Sequence, residues 1–347
     1  MKKKTIFYFL IGFLLLSSSC GPSPEQSASM TAAAWTPTPA PTLTPVPTPI
    51  PYNATIIVTD ESGAPIAGAA IVFPEAGGGS DPVQADDQGK YSWTNLNGEN
   101  MTLDVAAQGY MPAHQTGTIL RGPNEVSVTL QRDPFGILPS EACAPGQKAL
   151  YLEDFQDGQA QGWSTISAGI NGDMPNGWSL IDENGNKILT HANAPSGTND
   201  ELQGSVFDNF VWHLKYKVTG KDADMFFIWR LSHEADNNKL YVTVVGAREK
   251  PWMVRFFNTP AGPNPMNIAK SSITLKEDQW YNFDVAYFDG THQVWLDGKK
   301  IMEYQDPQPY PAGMMGFQTG LDQSKISQFF VDDLRVCELT AAYEPAQ

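Results

Sequence analysis

From residue 52 onward, the chain consists mainly of short stretches in which non-polar and polar residues alternate, separated by glycine, proline, asparagine and aspartate. A period of two is typical of β-strands with one buried face, and the separating residues favour turns. No stretch has the spacing of a long amphipathic helix. The pattern therefore predicts an all-β protein.

The clearest pattern is a hairpin at residues 280–300, where Asp289 and Gly290 separate two alternating stretches. Asp-Gly supplies the positive φ angles of a two-residue turn, and that turn fixes which residues face each other. The resulting register places Asp284 opposite Trp295 on a polar face, while the other face carries aliphatic and aromatic residues. We expect the non-polar face to be buried and the polar face to meet solvent.

Two earlier stretches, 211–219 and 224–231, have the same two-sided character. One face of each is non-polar and is made by Trp212, Leu214, Tyr216, Val218, Met225, Phe227, Trp229 and Leu231. The other face carries His213, Lys215, Lys217 and Arg230. Further strands are expected at 178–181, 187–190, 240–246, 252–258, 273–276, 313–319 and 328–338. Many short strands at this spacing indicate a two-sheet sandwich.

The first 19 residues predict a signal peptide, because three lysines precede a non-polar run that is too short for a comfortable membrane span. Small residues then precede a lone cysteine, which resembles a bacterial lipoprotein cleavage site and implies lipidation of Cys20. Ser17 departs from that pattern, because the family usually has leucine there. The alternative is an ordinary signal peptide with an incidental cysteine.

Residues 20–51 form the predicted lipidated N-terminus and a linker rich in threonine and proline. Proline fixes φ and the segment lacks a periodic non-polar face, so we expect an extended spacer. The signal, the cysteine and the spacer together predict an exported lipoprotein. It would be held to the membrane through its lipid anchor only and would face the cell exterior.

Residues 52–133 are similar to the carboxypeptidase regulatory-like domain, a small immunoglobulin-like or transthyretin-like sandwich of seven strands. The matching positions are Ile56, Val58, Asp60, Gly63, Pro65, Ile66, Gly68, Ala69, Asp86, Asp87, Gly89, Tyr91, Gly109 and Tyr110. The resemblance implies a non-catalytic spacer or adhesion module. Residues 134–148 would link it to a second domain.

Residues 149–339 resemble the larger concanavalin A-like (laminin-G-like) jelly-roll modules, and 340–347 would form a tail. The resemblance is carried by the hairpin at 280–300 and by the Gly-Met-Met-Gly-Phe-Gln-Thr stretch at 313–319. It predicts the fold more firmly than the function, because this fold hosts lectins, glycosidases and adhesion modules.

Charge and cysteine content narrow the possible partners. The formal charge of −16 disfavours binding to nucleic acid or to an anionic lipid surface. After Cys20, two cysteines remain, Cys143 and Cys337, which flank the second module. Because first and last strands lie side by side in sandwiches of this type and an exported protein meets oxidising conditions, we expect them to form a disulfide. The alternative is a pair of buried, unpaired cysteines.

The sequence contains a partial match to one catalytic motif of this fold. Retaining glucanases of this fold use two carboxylates spaced Glu-x-Asp-x-x-Glu, one as nucleophile and one as acid/base. The nearest match is Glu234, Asp236 and Lys239, with lysine where the second catalytic carboxylate would stand. This favours a non-catalytic protein. A glycoside-processing enzyme lacking this motif, or an adhesion or spacer protein without a small ligand, remain the alternatives.

A binding site for an extracellular or cell-wall glycan is the favoured function. Glycan-binding relatives of this fold often carry a Phe-x-x-Arg stretch, then Asn-x-x-Tyr, then an arginine, and Phe227 to Arg230, Asn238 to Tyr241 and Arg255 resemble that order. Aromatic faces stack on sugar rings and charged planar groups bind hydroxyls. The predicted site is Arg230, Tyr241, Arg255, Asp284, Gln293 and Trp295. The alternative is that Arg230 pairs structurally with a carboxylate such as Asp284.

A structural calcium ion is also expected near the junction of the first and last strands of the jelly roll. Glu153 and Asp157 follow the first strand, and Asp332 and Asp333 lie in the last. Calcium prefers several hard oxygen ligands, and modules resembling this one often carry such an ion. The alternative is an ordinary acidic turn.

Overall fold

The computed structural model of the chain describes residues 48–76, 81–165, 168–169, 178–192, 199–202, 205–220, 223–232, 238–246, 250–259, 262–321 and 328–345. Apart from one short 3-10 turn at Pro74–Ala76, the regular elements in these ranges are β-strands. No helix in the same ranges is long and non-polar enough to cross a membrane. An immunoglobulin-like sandwich is followed by a jelly roll, which confirms the predicted fold class.

Within the described residues, the first sandwich contains β1 (Tyr52–Asp60), β2 (Ala70–Val72), β3 (Val83–Gln84), β4 (Lys90–Leu96), β5 (Asn100–Ala106), β6 (Ala113–Thr118) and β7 (Gly122–Leu130). One sheet has the order β4-β1-β7 and the other the order β3-β2-β5-β6. Ile56 and Ile71, one from each sheet, are fully buried in the core between them.

The second sandwich contains β8 (Ala149–Glu153), β9 (Trp163–Thr165), β10 (Ala168–Gly169), β11 (Trp178–Glu183), β12 (Asn186–Ala192), β13 (Asn199–Leu202), β14 (Phe210–Thr219), β15 (Ala223–Ser232), β16 (Lys239–Gly246), β17 (Trp252–Thr259), β18 (Gly262–Lys270), β19 (Tyr281–Phe288), β20 (Thr291–Leu296), β21 (Lys299–Gln305), β22 (Met314–Leu321) and β23 (Gln328–Glu338). Sheet I has the order β10-β9-β13-β22-β15-β16-β17-β18. Sheet II has the order β11-β12-β23-β14-β19-β20-β21, and β8 also pairs with β23.

The inner faces of sheets I and II enclose an aromatic core. Trp212 of β14 meets Phe227 of β15 edge to face, with ring centroids 5.9 Å apart. Phe227 in turn packs on Phe283 of β19 at 5.0 Å, and Phe317 of β22 fills the same layer. These rings come from strands far apart in sequence, so the core closes only when both sheets are assembled.

The hairpin register predicted from its turn is confirmed. β19 and β20 pair Asp284 with Trp295 and Val285 with Val294. The turn residue Asp289 has φ 45°, as a two-residue turn of this type requires. Val294 is fully buried in the core between the sheets, so the predicted non-polar face is the inner one.

A β-bulge in β15 changes the predicted facing of its last residues. Arg230 has a φ of 53°, and the pairing with both neighbouring strands shifts at this point. As a result Trp229 and Arg230 both point into the sandwich, and Leu231 packs in a non-polar cluster on the outer face. The prediction of a polar outward Arg230 and an inward Leu231 was therefore wrong, because a strict period of two does not survive a bulge.

One predicted strand was also misplaced. Residues 273–276 are not a strand, whereas Gly262–Lys270 forms β18, the edge of sheet I. Pro263 and Pro265 lie in that strand. Proline lacks a backbone N–H and is tolerated at a sheet edge, where one side of the strand has no partner to bond.

Cys143 and Cys337 form the predicted disulfide, with a Cα–Cα distance of 5.8 Å. It ties the segment between the two sandwiches to the last strand, β23. The two sandwiches also meet at Asp154, whose carboxylate accepts hydrogen bonds from the Gln108 side chain at 2.5 Å and from the Ile137 backbone N–H at 2.7 Å. The linker and the first sandwich are thus both bonded to the jelly roll.

Candidate functional site

The six residues predicted to bind glycan lie in two separate places. Arg230, Tyr241 and Arg255 project from sheet I toward the interior of the sandwich. Trp295 is paired with Asp284 on the outer face of sheet II, and Gln293 lies on the same face as Trp295. Because these groups occupy different faces of the sandwich, they do not form the single site that the sequence suggested.

Arg230 is held by partners inside the protein. Its guanidinium donates to the backbone oxygens of Tyr310 at 2.7 Å and Asp208 at 3.0 Å, and it pairs with the Asp208 carboxylate at 3.1 Å. It also lies 3.9 Å from the centre of the Tyr287 ring. Arg230 is 3% exposed, so its donors serve the fold. The carboxylate that it pairs with is that of Asp208, while Asp284 has other partners.

Tyr241 and Arg255 belong to a neighbouring polar cluster centred on Asp306. The Tyr241 hydroxyl donates to the Asp306 carboxylate at 2.6 Å, and Arg255 Nε lies 3.0 Å from the same oxygen. Arg255 also stacks over the ring of Tyr310 at 4.4 Å. Burial and the bond to Asp306 raise the pKa of Tyr241, so its proton stays in place at neutral pH.

His292 of β20 completes the interior cluster as a neutral ring. Its Nδ1 accepts a hydrogen bond from the indole N–H of Trp229 at 3.2 Å. Burial lowers the pKa of His292 to about 3. A histidine that accepts at one nitrogen and is uncharged at physiological pH braces the core, and His292 is fully buried.

The face of sheet II that carries Trp295 is partly covered by the C-terminal tail. Tyr343 meets Trp295 edge to face at 5.8 Å and donates its hydroxyl proton to Asp284 at 2.9 Å. His213 occupies the other oxygen of Asp284 at 2.8 Å. Gln293 bonds to Glu303 at 2.9 Å. The polar groups predicted to meet sugar on this face therefore already have partners within the protein.

The four carboxylates predicted to bind calcium each have protein partners. Glu153 accepts backbone N–H groups at both oxygens, and Asp157 caps the turn that follows β8. Asp332 accepts from Asn186 at 3.0 Å, and Asp333 pairs with Lys215 at 2.5 Å. Among the described residues, no three acidic, histidine or cysteine side chains come together as a metal-binding group.

Two of these carboxylates are strongly buried. Burial raises the pKa of Glu153 to about 8. Burial and the nearby Asp333 raise the pKa of Asp332 to about 7. Both shifts favour the protonated carboxyl at the end of β8 against β23. Calcium at this position stays a prediction of the sequence.

The outer face of sheet I carries a feature that the sequence analysis missed. Phe226, Trp252, Phe256 and Met314 are half-buried on this face. Beneath and between them lies a floor of buried aliphatic side chains: Ile228, Leu231, Leu240, Val242, Val244 and Val254. We call the ten residues together the sheet I groove.

The strand pairing orders the sheet I groove into rows that cross the strands. Phe226 faces Val244, and Val244 faces Trp252 in the first row. In the second row Val242 faces Val254, so small aliphatic side chains separate two bulkier ridges. The sequence did contain a signal for this surface, because β15, β16 and β17 are almost continuously non-polar. Such strands are non-polar on both faces, and a non-polar face that is not part of the core indicates a surface that binds a partner or ligand.

Comparison with protein families identifies both sandwiches. Residues 55–131 match the carboxypeptidase regulatory-like domain. Residues 154–330, about half of the chain, match the 3-keto-alpha-glucoside-1,2-lyase-like domain. The chain belongs to the 3-keto-alpha-glucoside-1,2-lyase-like domain family. A comparison with curated proteins finds no match.

Solved structures similar to the lyase-like domain include carbohydrate-binding and carbohydrate-cleaving proteins. A carbohydrate-binding module from Bacillus subtilis is 15% identical, with TM-score 0.35, covering 50% of this chain and 93% of that chain. Domain 4 of an extracellular arabinanase from Geobacillus stearothermophilus, solved with arabinotriose, is 12% identical, with TM-score 0.39, covering 55% of this chain and 93% of its own. A lichenase derived from a mouse hindgut metagenome is 12% identical, with TM-score 0.39 and coverages of 54% and 98%.

Some predicted features lie outside the described residues. These are the signal peptide, Cys20, most of the linker, and the Glu234 and Asp236 positions that resemble part of a glucanase motif. Lys239, which stands where the second catalytic carboxylate would be, begins β16. The lyase-like domain therefore has a buried polar cluster inside its sandwich and the non-polar sheet I groove on its outer face.

Proposed function

We propose that the protein binds a carbohydrate chain in the sheet I groove. The observation that carries this proposal is the pair of half-exposed ridges, Phe226 with Trp252 and Met314 with Phe256, over a buried aliphatic floor. A monomeric soluble protein rarely leaves such a surface uncovered without a partner. Five strands, from β22 to β18, cross this face and span roughly 19 Å at the usual strand spacing, enough for several sugar rings.

Carbohydrate is the occupant that best suits this surface. The C–H faces of sugar rings are non-polar and stack on aromatic side chains, while their hydroxyls remain in water or bond to polar groups at the rim. The family match to a domain named for a carbohydrate lyase supports the same class of ligand. Trp252 is the principal stacking residue, because it is the largest half-exposed ring in the groove.

The protein would act outside the cell. The predicted signal peptide, the lipidated Cys20 and the threonine- and proline-rich segment that follows support an exported lipoprotein with a spacer. Such a spacer would hold both sandwiches away from the membrane, where extracellular or cell-wall glycans are accessible.

Glycan retention by tryptophan variants tests this proposal. Trp252→Ala should abolish retention of the full chain on an immobilised polysaccharide panel, and Trp295→Ala should leave retention intact. Trp295 is the matched control, because it is a half-buried tryptophan on the opposite sheet. Circular dichroism and the melting temperature report whether each variant is folded. The reverse result, with retention lost only in Trp295→Ala, would mean that the glycan-binding site is on sheet II and not in the sheet I groove.

A second candidate, a lyase acting on 3-keto-α-glucosides, is favoured by the family match. A ketone at C3 acidifies the C2 proton, so a base can remove it while the C1 oxygen leaves with its bonding electrons and takes up a proton. The products would be an unsaturated keto sugar and the released alcohol. Incubating the full chain with a 3-keto-α-glucoside and following both products tests this activity. Binding without turnover would support the binding role alone.

A further inference from the structure

A cleft lies beside Trp252, at one end of the sheet I groove. The cleft has a volume of about 440 Å³ and is lined by Trp252, Asn267, Ile268, Ala269 and Lys270. It lies where the edge strand β18 meets β17. An aromatic ring, an amide and an ammonium group thus share one opening at the end of a non-polar surface.

A bulge in β18 brings the polar groups of the cleft onto the outer face. Trp252 pairs with Lys270 and Val254 pairs with Asn267, although two residues separate Asn267 from Lys270 instead of one. The extra residue is absorbed at Ile268 and Ala269, which both pack toward the interior core. Directly opposed residues of an antiparallel pair point to the same face. Lys270 and Asn267 therefore stand beside Trp252 and Val254 on the groove side.

The charge of Lys270 is not neutralised by the described part of the chain. Lys215, Lys217 and Lys300 each pair with a carboxylate, whereas Lys270 is exposed and has no such partner among the described residues. In a chain with formal charge −16, an exposed ammonium at the end of the sheet I groove with no carboxylate partner in the described ranges is unusual.

A second lysine lies at the same corner. The backbone N–H of Ser271 donates to the oxygen of Pro251 at 2.8 Å, which holds the residues next to Lys270 and Lys250 together. Lys250 is also exposed. Lys250 directly precedes the start of β17 in sequence, and Lys270 is paired with Trp252, where the groove begins. The cleft therefore combines positive charge with an aromatic platform.

We propose that this cleft binds an anionic group on a sugar ring, either a uronate carboxylate or a sulfate ester, and so makes the protein selective for acidic glycans. The inference rests on the proposed carbohydrate binding in the sheet I groove. Trp252 stacks on the ring, Lys270 pairs with the anion and Asn267 bonds to a neighbouring hydroxyl. A charge-assisted bond is about twice as strong as a neutral one, so Lys270 determines the preference for an anionic ring over a neutral one.

Binding of three oligosaccharides to the full chain tests the proposal: an oligogalacturonate, a κ-carrageenan oligosaccharide and a neutral β-1,4-galactan oligosaccharide. Calorimetry at about 0.15 M salt is suitable, because the screening length of about 8 Å damps the distant acidic residues but not a contact with Lys270. We expect at least one acidic oligosaccharide to bind about tenfold more tightly than the neutral one. The two acidic ligands distinguish carboxylate from sulfate.

Lysine variants assign the preference to the cleft. Lys270→Met keeps the length of the side chain without its charge and should lower affinity for the preferred acidic oligosaccharide about five- to tenfold. It should leave affinity for the neutral one unchanged. Lys270→Arg should keep the preference. Lys299→Met, at an exposed lysine on sheet II, is the matched control and should change neither affinity.

The outcomes separate this inference from the proposed function. Equal binding of all three oligosaccharides, lost in Trp252→Ala but unaffected by Lys270→Met, would overturn the acidic preference and keep the groove. An acidic preference that survives Lys270→Met would also overturn the assignment to this cleft. Absence of binding to any glycan, with Trp252→Ala indistinguishable from wild type, would remove the proposed function itself and the inference with it.

Discussion

Replacing Arg230 with alanine should destabilise the jelly roll by about 3–5 kcal/mol, the range seen when one partner of a buried charged network is removed. The structural reason is that the backbone oxygens of Tyr310 and Asp208 would lose their donor, and each unpaired buried acceptor costs about 1–3 kcal/mol. The stacking over Tyr287 would be lost as well, worth about 0.5–2 kcal/mol. These contributions overlap and do not add fully.

Asp208→Ala is the matched control. The Asp208 side chain is 73% exposed, and an exposed ion pair contributes about 0–1 kcal/mol. Its backbone oxygen stays in place in the variant, so Arg230 keeps that bond. We therefore expect Asp208→Ala to lower the free energy of unfolding by less than about 1 kcal/mol. This loss is well below the loss expected for Arg230→Ala. Urea unfolding followed by tryptophan fluorescence gives both values.

Arg230→Gly tests the positive φ of 53° directly. In a regular strand, glycine is less stable than alanine by about 0.5–1 kcal/mol. At a left-handed position the order reverses, because alanine carries a Cβ that crowds the backbone there. Arg230→Gly should therefore be more stable than Arg230→Ala. Unchanged stability of Arg230→Ala together with lost glycan retention would refute this reasoning and make Arg230 a sugar contact.

Four further outcomes are expected. A Cys143→Ser/Cys337→Ser double variant should have a free energy of unfolding about 4–5 kcal/mol lower than that of the wild type, because the disulfide closes a sequence separation of 194 residues. A reductant should lower the melting temperature of the wild type only. Because the pKa of Glu153 rises from 4.5 to about 8 on folding, the folded state holds a proton that the unfolded chain has lost between these values. Stability should fall as pH rises through that window, and Glu153→Gln should flatten the profile of melting temperature against pH. Calcium bound at Glu153 and Asp332 would raise the melting temperature, so identical values in excess calcium and in chelator would remove that expectation. Cys20→Ala should release the protein from the membrane fraction, and a variant that still sediments with membranes would contradict lipidation.

The hairpin register and the disulfide followed from the sequence because each depends on few residues. Asp289 and Gly290 determine a turn, and a turn determines which residues face each other along both strands. Cys143 and Cys337 were the remaining cysteines of a chain expected to be exported, and they flank one module. The register needed no knowledge of the fold, whereas the disulfide also used the expectation that the first and last strands of such a sandwich lie side by side.

The sequence did not predict in the same way which side chains of sheet I point outward. β15, β16 and β17 are non-polar at successive positions, so alternation could not say which side is the core. The alternation pattern therefore could not show that Trp252 and Phe256 face outward. Trp295 stood out in the sequence as an aromatic residue on a polar face, but in the structure Tyr343 partly covers it.

The conformation of Arg230 explains why the outer face of sheet I is non-polar and why Arg230 itself does not lie on that face. In a regular strand its guanidinium would follow Ile228 onto the outer face, next to the floor of the sheet I groove. The bulge turns it inward instead, and Gly313 permits this, because a Cβ there would lie 2.6 Å from the Arg230 carbonyl carbon. The outward positions from Phe226 to Leu231 are consequently non-polar. Among the described residues, positive charge at the end of the groove comes from Lys270 of β18 and from Lys250 next to the start of β17. The Lys270 ammonium can therefore discriminate between an anionic and a neutral sugar without a guanidinium at the centre of the groove.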